Sequence, residues 1–353
     1  MTRTFLRRIF ASTGARRNFL VTATGAMFAT QIVVAAQLAV RGDRVFVLDE
    51  ASPHILATQD LATGEQRELY KTDLGRIFDY RVSPSGEMIA VLEQVLQYDV
   101  DSQVANARVR NRAVFERATL HIIDNTGSPI DDIQNVRRFS WSRDGRGLAY
   151  VTGEFRSPYE PYANTKAWIW NATDESEKQI SNFGSYVHWA AFDGRVYLWE
   201  QIDGIAGKVY AYSPLSGSVA ETSHKSIYFS PTGAYYYHPG GGIGLRENVY
   251  VRSGDLGLKD ASRTLADFCG FRPIAWAPGN DLLLLEACRK APSGRAEENV
   301  MMIYDPSTDT AVEVGRAESI AWGNQSSELI VKNKNRLERW ERLRDTSNSA
   351  FCH

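Results

Sequence analysis

An alternating strand, a short polar turn and a second alternating strand recur six times in this sequence, and no other feature restricts the fold so strongly. The clearest copy runs Phe139, Ser140, Trp141, then Ser142, Arg143, Asp144, Gly145, then Gly147, Leu148, Ala149, Tyr150 and Val151. Apolar residues at a spacing of two on both sides of a glycine-bearing turn read as a β-hairpin. The other copies turn at Ser83 to Gly86, at Phe192, Asp193 and Gly194, at Ser230 to Gly233, at Ala277 to Asn280, and at Gly323 to Ser326. Just ahead of each turn stands one large apolar residue: Val82, Trp141, Trp189, Phe229, Trp276 and Trp322.

A second kind of turn alternates with the first. It occurs at Asp60 to Gly64, Asp124 to Gly127, Asn171 to Asp174, Ser213 to Gly217, around Ser253 to Gly257, and at Asp305 to Asp309. Six of each kind make six four-stranded units, and repeats of about 40 to 50 residues with four strands apiece signal a propeller. The order starts on an outer-pair turn and finishes on an inner-pair one. The expectation is therefore an all-β, six-bladed β-propeller of antiparallel blades, one of them shared by the two chain ends, which removes free sheet edges. Strand-like stretches at 45–49 and 336–340 are left over and keep a seventh, partial blade open. The aromatic, Ser, Pro or Arg, Asp or Thr, Gly turn of Trp141 to Gly145 and Phe229 to Gly233 resembles the repeat of the TolB-like six-bladed propeller family. The resemblance covers residues 44–343, with Gln325 and Ser326 departing from the motif in the last copy. It implies a fold and not an activity, because this architecture hosts scaffolds, receptors, lyases and peptidase lids.

The chain has 353 residues, 43% hydrophobic and 11% aromatic, enough for one ring-shaped domain with a large core. Its net charge of −2 conceals an asymmetry. Arg3, Arg7, Arg8, Arg16 and Arg17 fall before residue 37 with no acid among them, so the remainder carries −7 and has no general attraction for nucleic acid. Residues 1–17 form a basic segment, and 18–40 an uncharged run closed by Arg41. Arg16, Arg17, Asn18, Phe19 and Leu20 look like a twin-arginine export signal, with Ala15 and Val21 departing from its pattern. The run is also long enough to cross the ~30 Å hydrocarbon layer as a helix. Cleavage after Ala36 and retention as a transmembrane anchor are both open. Either way the basic segment stays in the cytoplasm and the propeller lies in the bacterial periplasm. Residues 344–353 form a C-terminal tail.

Cys269 and Cys288 face each other if the hairpin at Ala277 to Asn280 pairs Trp276 with Asp281. Outside the cytoplasm that placement favours a disulfide, contributing about 3 kcal/mol; Cys352 is left over.

The long insertions all fall on one face of such a propeller. Segment 93–118, compatible with hairpin or helix, carries Arg108, Arg110, Arg112 and Arg117; segment 153–166 carries Phe155, Arg156, Tyr159 and Tyr162; Arg289 and Arg295 belong to a later one. Tyr and Arg on Pro-fixed loops have the composition of a protein interface. No Gly-x-Ser-x-Gly elbow, no His-Glu-x-x-His and no zinc-spaced cysteine pair occurs, so no catalytic residue, metal or cofactor is expected. The innermost strands, read in register, gather Asp79, Arg81, Arg138, Tyr186, His188 and Tyr228 toward the mouth of the central channel. Two functions remain. The leading one is a membrane-anchored accessory subunit that stabilises a bacterial membrane complex, respiratory or photosynthetic in type, by protein–protein contacts. The alternative is a soluble periplasmic carbohydrate-binding protein, or a polysaccharide lyase, working at the channel mouth.

Overall fold

In each of the six copies, the large residue before the turn pairs across the hairpin with an apolar residue seven places on: Val82 with Ile89, Trp141 with Leu148, Trp189 with Val196, Phe229 with Tyr236, Trp276 with Leu283, Trp322 with Leu329. The turn is closed the same way each time. Ser83, Ser142, Ala190, Ser230, Ala277 and Gly323 each donate their N–H to the carbonyl five residues later, at 2.8–2.9 Å. In three copies the serine hydroxyl takes a further N–H, from Met88, Gly147 or Tyr235. Gly145 sits at φ +72°, a conformation that costs a side-chain-bearing residue energy and glycine almost none. The second kind of turn is built on a carboxylate. Asp124 Oδ1 accepts from the Thr126 hydroxyl and from the N–H groups of Thr126 and Ser128, which holds this acid below the ordinary carboxylate range.

The computed structural model describes residues 38–352 apart from 49–52, 74, 100–111, 155–162, 203–204, 225, 239–249, 254–257, 261–267, 291–295, 326, 334–335 and 343–350. The described residues form seven four-stranded antiparallel sheets, each made of four strands consecutive in the chain. They occupy residues 38–71, 76–134, 136–181, 186–221, 228–260, 268–315 and 319–352. The expected count of six, with one blade shared between the ends, does not match this topology. The reason lies at the N-terminal edge. Leu38–Arg41 pairs with Arg44–Leu48 across a two-residue turn, Gly42 and Asp43, so an inner-pair turn precedes the first outer one. Leu38 and Val40 are buried while Ala39 and Arg41 are partly open, the alternation of a strand. Residues 38–40 therefore belong to the first sheet rather than to a helix over 18–40; the rest of that stretch lies outside the described residues. At the other end Arg336–Arg342 pairs with Phe351–Cys352, which turns part of the expected tail into the last strand. Among the described residues no helix is long and apolar enough to cross a membrane.

Apolar side chains fill the spaces between sheets. One buried cluster lies between each successive pair, and another joins the last sheet to the first, with Leu38, Val40, Val45 and Val47 against Ile330. There Gly42 N–H donates to Asn324 Oδ1 at 3.0 Å and Asn324 Nδ2 donates back to the Gly42 carbonyl at 2.7 Å. Elsewhere three of the four indoles before the turns reach back to the preceding sheet, while that of Trp189 bonds the Gly194 carbonyl of its own turn. Trp141 Nε1 donates to the Arg81 carbonyl at 2.9 Å, Trp276 to that of Tyr228 at 3.2 Å, Trp322 to that of Ala275 at 3.1 Å. Trp141→Phe keeps the ring and loses the bond, so its urea-unfolding free energy should fall by about 1–2 kcal/mol; no change would show that the bond contributes nothing.

The segment at 93–118 is a hairpin: Met88–Asp99 pairs with Arg112–Asp124 as far as Asp99 opposite Arg112. The cysteine register differs from expectation. Trp276 pairs with Leu283 rather than Asp281, and two irregularities, between Pro273 and Ala275 and between Phe268 and Gly270, bring Gly270 opposite Cys288. Cys269 falls in the second irregularity, and its side chain lies outside the described residues; Cys288 is disulfide-bonded.

Candidate site on the innermost strands

The first strands of neighbouring sheets approach one another, that of the fourth sheet lying beside that of the third and that of the first beside those of the second and seventh. Each presents alternate residues away from the buried clusters, and these meet in a chain of contacts that passes from sheet to sheet. Arg81, from Arg76–Val82, lies over the ring of Phe139 at 5.4 Å and 3.6 Å from Asp79. Arg138, from Val136–Trp141, lies over the ring of Tyr186 at 5.5 Å. His188, from Tyr186–Trp189, stands 6.4 Å from the ring of Tyr228. Tyr228 stacks on Tyr237 at 4.9 Å and 4°, and Tyr237 is 6.1 Å from Trp276 of the sixth sheet.

The six residues expected at the channel mouth thus meet in pairs, Asp79 with Arg81, Arg138 with Tyr186 and His188 with Tyr228. Ser140, on the strand of Arg138, and Ser226, two residues before Tyr228, do other work. Ser140 Oγ accepts the N–H of Trp189, and Ser226 donates to the Tyr237 carbonyl. Tyr237 was missed because it belongs to a second strand, although the register around the Ser230 turn places it opposite Tyr228.

The electrostatics follow from enclosure. His188 and Tyr228 keep some surface open to solvent but are surrounded by protein, as in the lining of a narrow passage. Desolvation, followed by the charge of Arg81, pulls the His188 pKa down from 6.5 to about 4, so the imidazole is neutral at neutral pH. Desolvation pushes Tyr228 up to about 12 and Tyr237 upward too, against the opposing pull of Arg81. The phenols are therefore hydrogen-bond donors rather than anions. Asp79 Oδ1 is buried and accepts no hydrogen bond among the described residues. The arrangement sets two guanidiniums, a neutral imidazole and two neutral phenols along neighbouring sheets. Among the described residues no set of three His, Cys, Asp or Glu side chains is placed to hold a metal ion.

The side chains of Arg108, Arg110, Arg112, Phe155, Arg156, Tyr159, Tyr162, Arg289 and Arg295, expected to meet a protein partner, lie outside the described residues. Elsewhere, a small cleft between the sixth and seventh sheets is lined by Arg272, Glu286, Met301 and Ser319. Its Arg272 and Glu286 are ion-paired with each other, and Glu318 also lines it.

No family model matches the sequence, and no curated protein does. Solved structures do. The β-propeller domain of the Trilobed protease from Pyrococcus furiosus, which has an open velcro topology, aligns over 87% of this chain and 92% of its own at 14% identity, with a TM-score of 0.50. An acylaminoacyl peptidase from Pyrococcus horikoshii aligns over 88% of this chain at 13% identity, with a TM-score of 0.51. This chain covers 52% of that peptidase, about half its length. TolB from Acinetobacter baumannii aligns over 78% of this chain and 65% of its own, at 13% identity and a TM-score of 0.47. At such identities the likeness establishes the fold, a β-propeller, and nothing about activity.

Proposed function

We propose that this propeller is a binding subunit: a membrane-anchored, extracytoplasmic ring of seven blades that docks on a bacterial membrane complex of respiratory or photosynthetic type. The observation that carries this reading is the overhang of the second sheet. Arg76–Val82 stops pairing at Gln94 and Pro129–Gln134 at Thr119, yet the two middle strands continue together from Val95 opposite Arg117 to Asp99 opposite Arg112. A ribbon two strands wide is marginal in water by itself and needs cover. Leu96 opposite Phe115, and the arginines 108 and 110 in the tip sequence, suit a partner with apolar and acidic surface. The twin-arginine-like leader supports the location, and with residues 38–40 in the first sheet the proposed anchor is 18–37, still about the length a bilayer requires. A Cys269–Cys288 bridge belongs to the same oxidising compartment.

The test is capture from detergent-solubilised membranes, comparing the full chain with a variant in which residues 96–116 are replaced by Asn-Gly. The full chain should bring down partners in stoichiometric amount and the shortened hairpin should not. Monomer alone from the full chain would overturn the reading. The intact mass of the captured protein, before and after reduction, reads both leader retention and the bridge; loss of residues 1–36 would argue for the soluble alternative.

A further inference from the structure

We infer that two copies of this chain pair through the outer edge of the fourth sheet, an inference independent of the docking reading above. The edge strand is Ser218–Glu221, and all four of its residues are exposed. Such a strand offers unpaired N–H and C=O groups to another chain, and proteins ordinarily blunt it with charge. The outer strands of the first, second, third and fifth sheets each carry at least two charged residues, as Asp131 and Asp132 do in the second. Here Glu221 is the one charge, and its Oε2 is already held by Lys208 at 2.8 Å. From Val209 to Ala220 the sequence has no charged residue. Among the described residues the exposed large apolar side chains are Leu215 and Val219, both of this hairpin.

The direction of the backbone groups follows from the ladder. Tyr210 pairs with Glu221 and Tyr212 with Val219, and just beyond them Thr222 donates its N–H to the Val209 carbonyl at 2.8 Å. In an antiparallel pair the inward bonds recur at every second residue. Ser218 and Ala220 therefore bond inward as Thr222 does, and the N–H and C=O of Val219 and Glu221 point outward. A second copy laid antiparallel across a twofold axis at Val219 sets the two Val219 residues against each other and Glu221 of each copy against Gly217 of the other. Lys178 of the third sheet lies there. Its Nζ is 3.8 Å from where a Cβ on Gly217 would stand and 5.9 Å from the Tyr212 ring, and it forms no ion pair among the described residues. Glu221 Oε1 takes no bond among the described residues, so it can reach Lys178 of the other copy while Oε2 keeps Lys208. Symmetry makes each contact twice, and a second copy answers the open edge, the apolar Val219 and the cation together.

The experiment is sedimentation equilibrium of the full chain in detergent, from about 1 to 100 μM, a range suited to a contact of modest affinity. The wild type should pass from monomer to dimer across it. V219P removes an outward N–H and leaves the inward ladder whole, a place where an edge strand accepts proline, and it should stay monomeric. K178E and E221K each set like charges against one another between the copies and should weaken the dimer by about tenfold. The double variant K178E/E221K exchanges the charges and should recover most of the loss, which separates a contact between copies from damage to the fold. Near-ultraviolet dichroism identifies any variant that has failed to fold, and if V219P is one, the charge exchange carries the test. A monomer at every concentration, a dimer that survives in folded V219P, or a double variant no tighter than the single ones would each overturn the inference.

Discussion

Trp170→Ala should lower the free energy of unfolding by about 3–5 kcal/mol, the cost of removing a large aromatic side chain from a site that collapses only partly. The indole belongs to Ala163–Asn171 and is completely buried among Leu120, Ile122, Ile133, Trp141 and Leu148, between the second and third sheets. Its ring meets that of Trp141 edge-on at 6.5 Å and 76°, a favourable arrangement beyond the area it covers. Its Nε1 donates to Asp131 Oδ2 at 2.8 Å, so alanine also deprives a carboxylate of its donor. Trp170→Phe separates the two effects: it keeps most of the apolar volume, loses the bond, and should cost about 1–2 kcal/mol. Equilibrium urea unfolding checks both. A loss below about 1 kcal/mol for the alanine variant would mean that the neighbouring sheets close over the gap, contrary to the rigidity expected of a close-packed interface.

Acidification from pH 7 to 4 should cost the wild type about 3 kcal/mol more than His188→Gln. The imidazole is held neutral in the folded protein, with its pKa near 4 against 6.5 when unfolded. Between those values the unfolded chain binds the extra proton, so stability rises with pH. The contribution is fully present above pH 6.5 and is lost progressively as pH falls toward 4. Tyr228 lies beside this ring and the charge of Arg81 acts on it, and both are kept in the glutamine variant, so the difference between the two proteins reports His188. Parallel pH profiles for the two would show that the imidazole is solvated in the folded state.

The sequence makes the propeller legible because the turn chemistry is local. Ser83, Ser142 and Ser230 bond within five residues of themselves, and Asp60, Asp124 and Asp305 within four, so each signal is complete inside one short window. The approach of Arg138 to Tyr186 and of His188 to Tyr228 is legible for the same reason, since equivalent positions of a repeat end up side by side. What escapes is whatever departs from the repeat. The first hairpin turns on Gly42 and Asp43 with no aromatic before it, and its strand Leu38–Arg41 continues an apolar run whose composition suits a helix equally well. The Cys269–Cys288 register depends on two slips that no single-sequence pattern marks. Arg108 and Tyr159 belong to insertions, where each copy differs from the others.

The contact between the outermost members of the series has a consequence for how the molecule yields. Every other neighbouring pair of sheets is tethered by a connecting peptide, and several are pinned by an indole; here the packing of Leu38, Val40, Val45 and Val47 against Ile330, the ion pair of Arg339 with Asp43 and the reciprocal amide pair of Gly42 and Asn324 do the holding. Parting them breaks no strand ladder and stretches no linker. A propeller latched in this way has one seam that no connecting peptide crosses, and local opening starts there.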